Sequence, residues 1–185
     1  VDLSHLIYPQ HVFEGALVIG RSAPFFPEGT VHIGVVDPGV GTQRRPLAAR
    51  LGTQVFVGPD NGLFTLLWLV ARQQGLPSTF YHLDRPEYWL PEISNVFHGR
   101  DIFSPVGAHL ASGVPIEKLG TRIDDPILLD IPTPTRTAYG WLGEVIHIDH
   151  FGNLASNIMQ EHLQGLGAVA VHCGGQEMRG MVRTF

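Results

Sequence analysis

The chain is predicted to be an α/β protein, with a mainly parallel N-terminal sheet and flanking helices followed by the start of a smaller β-rich unit. Three observations carry that prediction. Short strand-type runs alternate with amphipathic runs of helical length as far as Gly120. A stretch without helical period follows over residues 124–140, containing Pro126, Pro132 and Pro134. Beyond it residues 143–148 alternate as a strand, and Gly174-Gly175 marks a hairpin. The expected organisation is an α/β domain over 1–123, an extended crossover over 124–140 and a β-rich domain over 141–185. With 44% hydrophobic and only 16% charged residues, a buried core is expected rather than disorder.

The elements follow in order. Val1-Asp2-Leu3-Ser4-His5 reads as the end of a strand already in progress. After Pro9, residues 10–19 carry Val12, Ala16 and Ile19 at helical spacing, and the pattern stops near Gly20. Residues 30–36 and 54–57 are strand candidates, the second running into the turn Gly58-Pro59-Asp60-Asn61-Gly62. A helix is expected over 63–74 with its end at Gly75, then a short strand over 80–83. Residues 100–112 place Ile102, Val106, His109 and Leu110 on one side of a further helix. In the last unit, residues 150–153 form a turn and 168–172 a hairpin arm. These roughly 45 residues are too few to bury a core of their own.

Bulk properties exclude several classes. A net charge of −5 with scattered Lys and Arg leaves no basic field for nucleic acid. Cys173 is the single cysteine, so neither an intrachain disulfide framework nor a cysteine-rich zinc site is possible. A reducing, cytoplasmic location fits that usage. The longest apolar run, residues 63–71, is about half of the roughly 20 residues that span a bilayer. No membrane partner and no signal peptide are expected.

Chemistry concentrates in two distant segments, Val36-Asp37-Pro38-Gly39-Val40-Gly41-Thr42-Gln43-Arg44-Arg45 and Phe97-His98-Gly99-Arg100-Asp101. The first lies where a strand breaks on Pro38 and two glycines. That edge of an open α/β sheet is where ligands bind. Taken singly, each residue has a plainer reading. Asp37 before Pro38 fits a turn cap, His98 a satisfied core imidazole, one of Arg44 and Arg45 a surface charge, and Arg100 with Asp101 a structural ion pair. Asp60-Asn61-Gly62 reads as a tight turn. In combination, Asp37, the other of Arg44 and Arg45, and His98 read as an active site.

Five ordered blocks then become recognisable: Asp2-Leu3-Ser4-His5, Val35-Val36-Asp37-Pro38-Gly39-Val40-Gly41-Thr42, Gly58-Pro59-Asp60-Asn61-Gly62, Phe97-His98-Gly99-Arg100-Asp101-Ile102-Phe103 and Ile148-Asp149-His150-Phe151-Gly152-Asn153. Together they resemble the S-adenosylmethionine hydroxide adenosyltransferase family, whose sister enzymes are the fluorinase and the chlorinase. The resemblance implies hydrolysis of S-adenosylmethionine to adenosine and methionine by attack of water or hydroxide on the ribose 5′ carbon. It implies no cofactor, S-adenosylmethionine being the substrate, and a homotrimer with active sites between subunits. By motif position the catalytic Asp, Arg and His match Asp37, Arg44 and His98. Asp149 and Asn153 match residues that contact the methionine amine and the adenine, and Phe97 and Phe151 match aromatic walls of the pocket. The family's N-terminal ribose-binding segment and its C-terminal Ser-Arg region have no counterpart within these 185 residues, so a fragment lacking both ends is expected, itself weakly active.

The implied reaction is consistent with elementary chemistry. A sulfonium leaves as a neutral thioether and needs no general acid. Water, with a bulk pKa of about 15.7, is the weak partner, so charge stabilisation and orientation of the nucleophile are required. An arginine fork can supply donors, a carboxylate can accept a proton or hold the guanidinium, and a histidine can orient or relay near neutral pH. The halogenating relatives resemble Tyr-Pro-Ala-Thr where this chain has Asp37-Pro38-Gly39-Val40, carry Tyr at the His98 position and place a tryptophan at Gln10. Gly99 stands where the fluorinase has serine, but the chlorinase shares the glycine. Asp37 with His98 therefore separates the hydrolase reading from the halogenase one.

Two readings of other classes remain. His147, Asp149 and His150 form a His-x-Asp-His cluster compatible with a metallohydrolase, although His147 and Asp149 share one strand face while His150 points away. A nucleoside-binding module without catalysis is the other.

Overall fold

The computed structural model describes residues 1–182 and divides into two compact units, one from Val1 to Asp130 and one from Ile131 onward. The first unit is built on a five-stranded sheet in the order β1-β3-β2-β4-β5. Its strands are β1 (Val31–Ile33), β2 (Pro46–Leu51), β3 (Gln54–Pro59), β4 (Ser78–His82) and β5 (Thr121–Ile123), with helices α1 (Val12–Ser22), α2 (Thr65–Gln73) and α3 (Ser104–Ala111).

Side-chain alternation along the strands divides the core into two layers. Leu47, Ala49 and Leu51 of β2, Phe56 of β3 and Phe80 of β4 pack with Ile19 of α1 and Ala71 of α2. Ala48, Val55, Val57 and Tyr81 face the other way, onto Ile102, Phe103 and Val106. Burial on both faces explains why β3 reads as a short, nearly continuous apolar run. Phe56 and Phe103 are wholly enclosed, and truncation of either to Ala would cost about 3–5 kcal/mol.

The α/β class and the flanking helices stand as expected, while the strand directions are more mixed than a mainly parallel sheet. Of the four pairings, β1–β3 is parallel and β3–β2, β2–β4 and β4–β5 are antiparallel. The difference comes from β2, which pairs with β3 through the two-residue turn Gly52-Thr53. Gly52 has φ +61°, as a tight hairpin of this kind demands. The Pro-Leu-Ala-Ala-Arg-Leu composition of β2 lacks β-branched and aromatic residues, so nothing in it signals a strand.

Two further elements differ in extent. The strand expected over 30–36 is paired only through Ile33, with the Gly34 amide still donating to Val57. The Val36 carbonyl then accepts from the Asn61 side chain instead of a neighbouring strand. The helix expected over 100–112 begins as a wide π turn, Gly99–Phe103, before α3. There the Ser104 amide bonds back to the Gly99 carbonyl, and Pro105 has no N–H to offer the first α turn.

The second unit consists of antiparallel pairs: β6 (Thr135–Thr137) with β7 (Gly140–Leu142), β8 (Val145–Ile148) with β9 (Leu154–Ser156), and β10 (Ala170–Cys173) with β11 (Gln176–Arg179). The first pair occupies part of the stretch read as an extended crossover. Residues 125–130 belong instead to the first unit, where the Ile127 amide donates to Asp60 and the Leu129 amide to Thr65. Asn157, nearly buried, ties its own unit together by donating to the Pro132 carbonyl and accepting from the Glu144 amide.

Candidate active site

The two chemistry-bearing loops meet. Arg44 Nε donates to Asp37 Oδ1 at 3.0 Å, and Nη2 donates to the other carboxylate oxygen, giving a two-pronged ion pair. The same Nη2 lies 3.1 Å from His98 Nδ1. The paired side chains are only 7% and 6% exposed, and the guanidinium sits 5.3 Å from the centre of the Phe103 ring. Removed from water, this pair is electrostatically stiff, because either partner alone would be a stranded charge.

Proton positions follow from the donors. A guanidinium has no acceptor, so His98 Nδ1 must accept from Arg44, which places the proton of the neutral ring on Nε2. Arg44 Nη1 is buried without a hydrogen-bond partner among the described residues. The cluster thus holds a carboxylate beside two donors to which no described residue offers an acceptor, Arg44 Nη1 and His98 Nε2–H. An attacking oxygen that gains negative charge needs such donors.

Loop packing fixes this geometry. Gly41, at φ +75°, brings its α-carbon so close to the other loop that an added Cβ would stand 2.5 Å from the Asn95 carbonyl oxygen. Three residues after His98, Asp101 is fully buried, accepting from the Ser94 amide and from Arg100. The Arg100 hydrogen bond, then the Ser94 amide, hold its carboxyl below the ordinary carboxylate range. Arg100 and Asp101 are therefore the structural ion pair that the plainer reading describes. Arg45 likewise turns away from the cluster, to Asp60 and Asp125.

A cleft of about 690 Å³ runs beside this site, between residues 1–10, α1 and the β1 segment, and reaches Val36, Asp37 and Pro38. Its size suits a small organic ligand. Phe97 is half exposed at the cluster's edge, with the Arg100 guanidinium 5.1 Å from its ring centre. Gly99 faces Val35, whose methyls would lie 3.5 Å from an added Cβ.

Asp149, Phe151 and Asn153 lie together in the turn between β8 and β9. Asp149 Oδ1 accepts from the Phe151 and Asn153 amides, and Oδ2 from the Asn153 side chain. These bonds, the Asn153 side chain first, lower the Asp149 pKa. The Phe151 ring is 88% exposed. Among the described residues no group of three His, Cys, Asp or Glu side chains is gathered to hold a metal, so the His147, Asp149 and His150 alternative finds no ligand set. Phe103, Gly41 and Asn61 were not singled out from sequence. Each lies inside one of the five recognisable blocks, but their sequence context assigns them no part in the site.

The SAM hydroxide adenosyltransferase N-terminal domain model matches residues 1–120, and the corresponding C-terminal domain model matches 143–185. The chain belongs to the SAM hydroxide adenosyltransferase family. A curated relative from Thermus thermophilus, named (R)-S-adenosyl-L-methionine hydrolase, is 39% identical over all of this chain and 71% of its own length. A relative from Nocardia brasiliensis named fluorinase is 31% identical, over 90% of this chain and 63% of its own length. A crystal structure of an uncharacterized conserved protein from Thermotoga maritima superimposes with a TM-score of 0.86 at 34% identity, covering 97% of this chain and 69% of that one. Several family members named (R)-S-adenosyl-L-methionine hydrolase lie at 35–42% identity, and this chain spans 55–71% of their lengths. Among the described residues no helix is long and apolar enough to cross a membrane.

Proposed function

We propose that the protein hydrolyses S-adenosyl-L-methionine to adenosine and L-methionine, with Asp37, Arg44 and His98 as catalytic residues. The observation that carries this reading is the buried Asp37–Arg44 pair bonded to His98, with Arg44 Nη1 left free, in a chain of this family. Arg44 Nη1 and His98 Nε2–H orient a water and stabilise it as it acquires hydroxide character. Its oxygen forms a bond to the ribose 5′ carbon as the bond from that carbon to sulfur breaks. The electron pair goes to sulfur, giving neutral methionine, and the water proton passes to the Asp37 carboxylate and on to solvent. No cofactor takes part.

Phe97, Gly99 and Phe151 supply the walls for the nucleoside. Asp149 attracts the methionine ammonium, and Asn153 presents its side-chain carbonyl to the adenine amino group, its amide nitrogen being committed to Asp149. The protein works as a homotrimer, the Asp149–Asn153 turn of one subunit completing the Asp37–His98 site of the next, in the cytoplasm and without a nucleic-acid partner. The half-exposed Phe97 and the exposed Phe151 are the rings that such an assembly would cover.

The test is chromatography of S-adenosylmethionine incubated with the protein carrying the flanking segments of its longer relatives, with light scattering in parallel. Adenosine and methionine in equal amounts from a trimer are expected. S-adenosylmethionine left unchanged, or cleaved only to methylthioadenosine, would overturn the reading.

A further inference from the structure

Resting on that reading, we propose that Asp60 and Asn61 are positioning residues which hold the two ends of the loop bearing Asp37 and Arg44, and so set the geometry of the buried cluster. Asn61 Nδ2 donates at 2.8 Å to the carbonyl of Val36, the residue before Asp37. Asp60 Oδ2 accepts at 2.8 Å from Nε of Arg45, the residue after Arg44, and the Asp60 amide donates to the Arg45 carbonyl at 3.0 Å. One turn at the end of β3 therefore grips both ends of a loop whose internal backbone bonds are turn contacts, Val40 to Asp37 and Thr42 to Gly39.

The turn is itself fastened. Asp60 is wholly buried and its second oxygen accepts from the Ile127 amide. Asn61 Oδ1 accepts from the Leu63 amide. Arg45 is further engaged by the Asp125 side chain and carbonyl. Neighbouring side chains entering a strand point to opposite sides, so an Arg45 committed to Asp60 directs Arg44 toward Asp37. Neither Asp60 nor Asn61 touches the cluster, so their action is through the backbone. A displacement of about 1 Å at a reacting group is enough to cost about a hundredfold in rate.

Two conservative variants separate this role from packing. Asn61→Asp keeps the acceptor for Leu63 and removes the donor to Val36, and Asp60→Asn keeps an acceptor for Ile127 and removes the charge facing Arg45. Both are measured for kcat and KM of adenosine formation and by nitrogen-15 NMR of the Arg44 Nε–H signal and the backbone amides. The expected result is a kcat about tenfold to a hundredfold lower with KM little changed, a displaced Arg44 signal, and amide changes confined to residues 36–45 and 98. An unmoved Arg44 signal overturns the proposal whatever the rate does, as do amide changes spread throughout β2, β3 and β4. If the parent protein forms no adenosine, the hydrolase reading fails separately, and the Arg44 signal alone then decides whether this turn positions the cluster.

Discussion

Gly41 and Asn95 meet where the two catalytic loops touch, with no room for a side chain between them. Gly41 also has φ +75°, so Gly41→Ala adds backbone strain to a collision with a carbonyl that cannot swing aside. We expect a destabilisation on the order of 1–2 kcal/mol and a marked fall in adenosine formation. Gly113, at φ +92° with open space around it, is the control. Gly113→Ala should lose stability in thermal melts through the backbone strain alone, less than Gly41→Ala, while keeping its turnover in parallel assays; equal turnover losses at the two positions would argue against loop contact as the cause.

Breaking the Asp37–Arg44 pair should affect stability and turnover together. Asp37→Ala or Arg44→Ala strands a buried charge, at a cost of about 3–5 kcal/mol, whereas His98→Ala removes a neutral ring and should fold normally. Arg44→Lys keeps the charge but loses the fork that reaches Asp37 and His98 together. All four variants should lose turnover by about a hundredfold or more. Denaturation curves alongside product assays check this, and near-normal turnover in His98→Ala would remove that residue from the site.

Sequence made the loops legible because Asp37, Arg44 and His98 sit in short motifs broken by Pro and Gly. What it concealed had no periodic or compositional mark. Strand β2 is hidden by its alanines, and its pairing is what turns the sheet from mainly parallel to mixed. The π turn before α3 has the same apolar spacing as an ordinary helix start. The bond from Asn61 to Val36 joins residues 25 apart, and a side-chain to backbone contact of that reach leaves no pattern in the chain. Asp149 and Asn153 stand out by motif position as ligand contacts, yet in the structure they first bond to one another and shape a turn.

That turn should respond to acid. Hydrogen bonds from Asn153 and Phe151 lower the Asp149 pKa, so the ionised carboxylate stabilises the folded turn. The sign follows: the contribution is fully present above the ordinary aspartate value of about 3.9 and is lost as pH falls through the lower folded value. NMR titration of the Phe151 and Asn153 amides should show a midpoint below that of a free aspartate. Asp149→Ala should abolish the titration and increase amide exchange at both positions. A midpoint at or above the ordinary value would show that the carboxylate does not hold the turn.

The nucleophile should remain water even in concentrated halide. Fluoride must exchange a tight hydration shell for protein donors, and hydroxyls are the natural replacements. On the Asp37 loop Val40 carries none and the Thr42 hydroxyl is committed to the Gly39 carbonyl at 2.7 Å, and on the His98 segment Gly99 has no side chain. Arg44 cancels the charge of Asp37, so the carboxylate selects the nucleophile by accepting a proton, which water has to give and a halide does not. Incubation of S-adenosylmethionine with the protein in excess sodium chloride or sodium fluoride should therefore yield adenosine as the main product, at a rate close to that in halide-free buffer. Chromatography against 5′-chloro- and 5′-fluoro-5′-deoxyadenosine standards distinguishes the outcomes. A halogenated nucleoside as the main product would mean that the Asp37–Arg44–His98 cluster does not select the nucleophile.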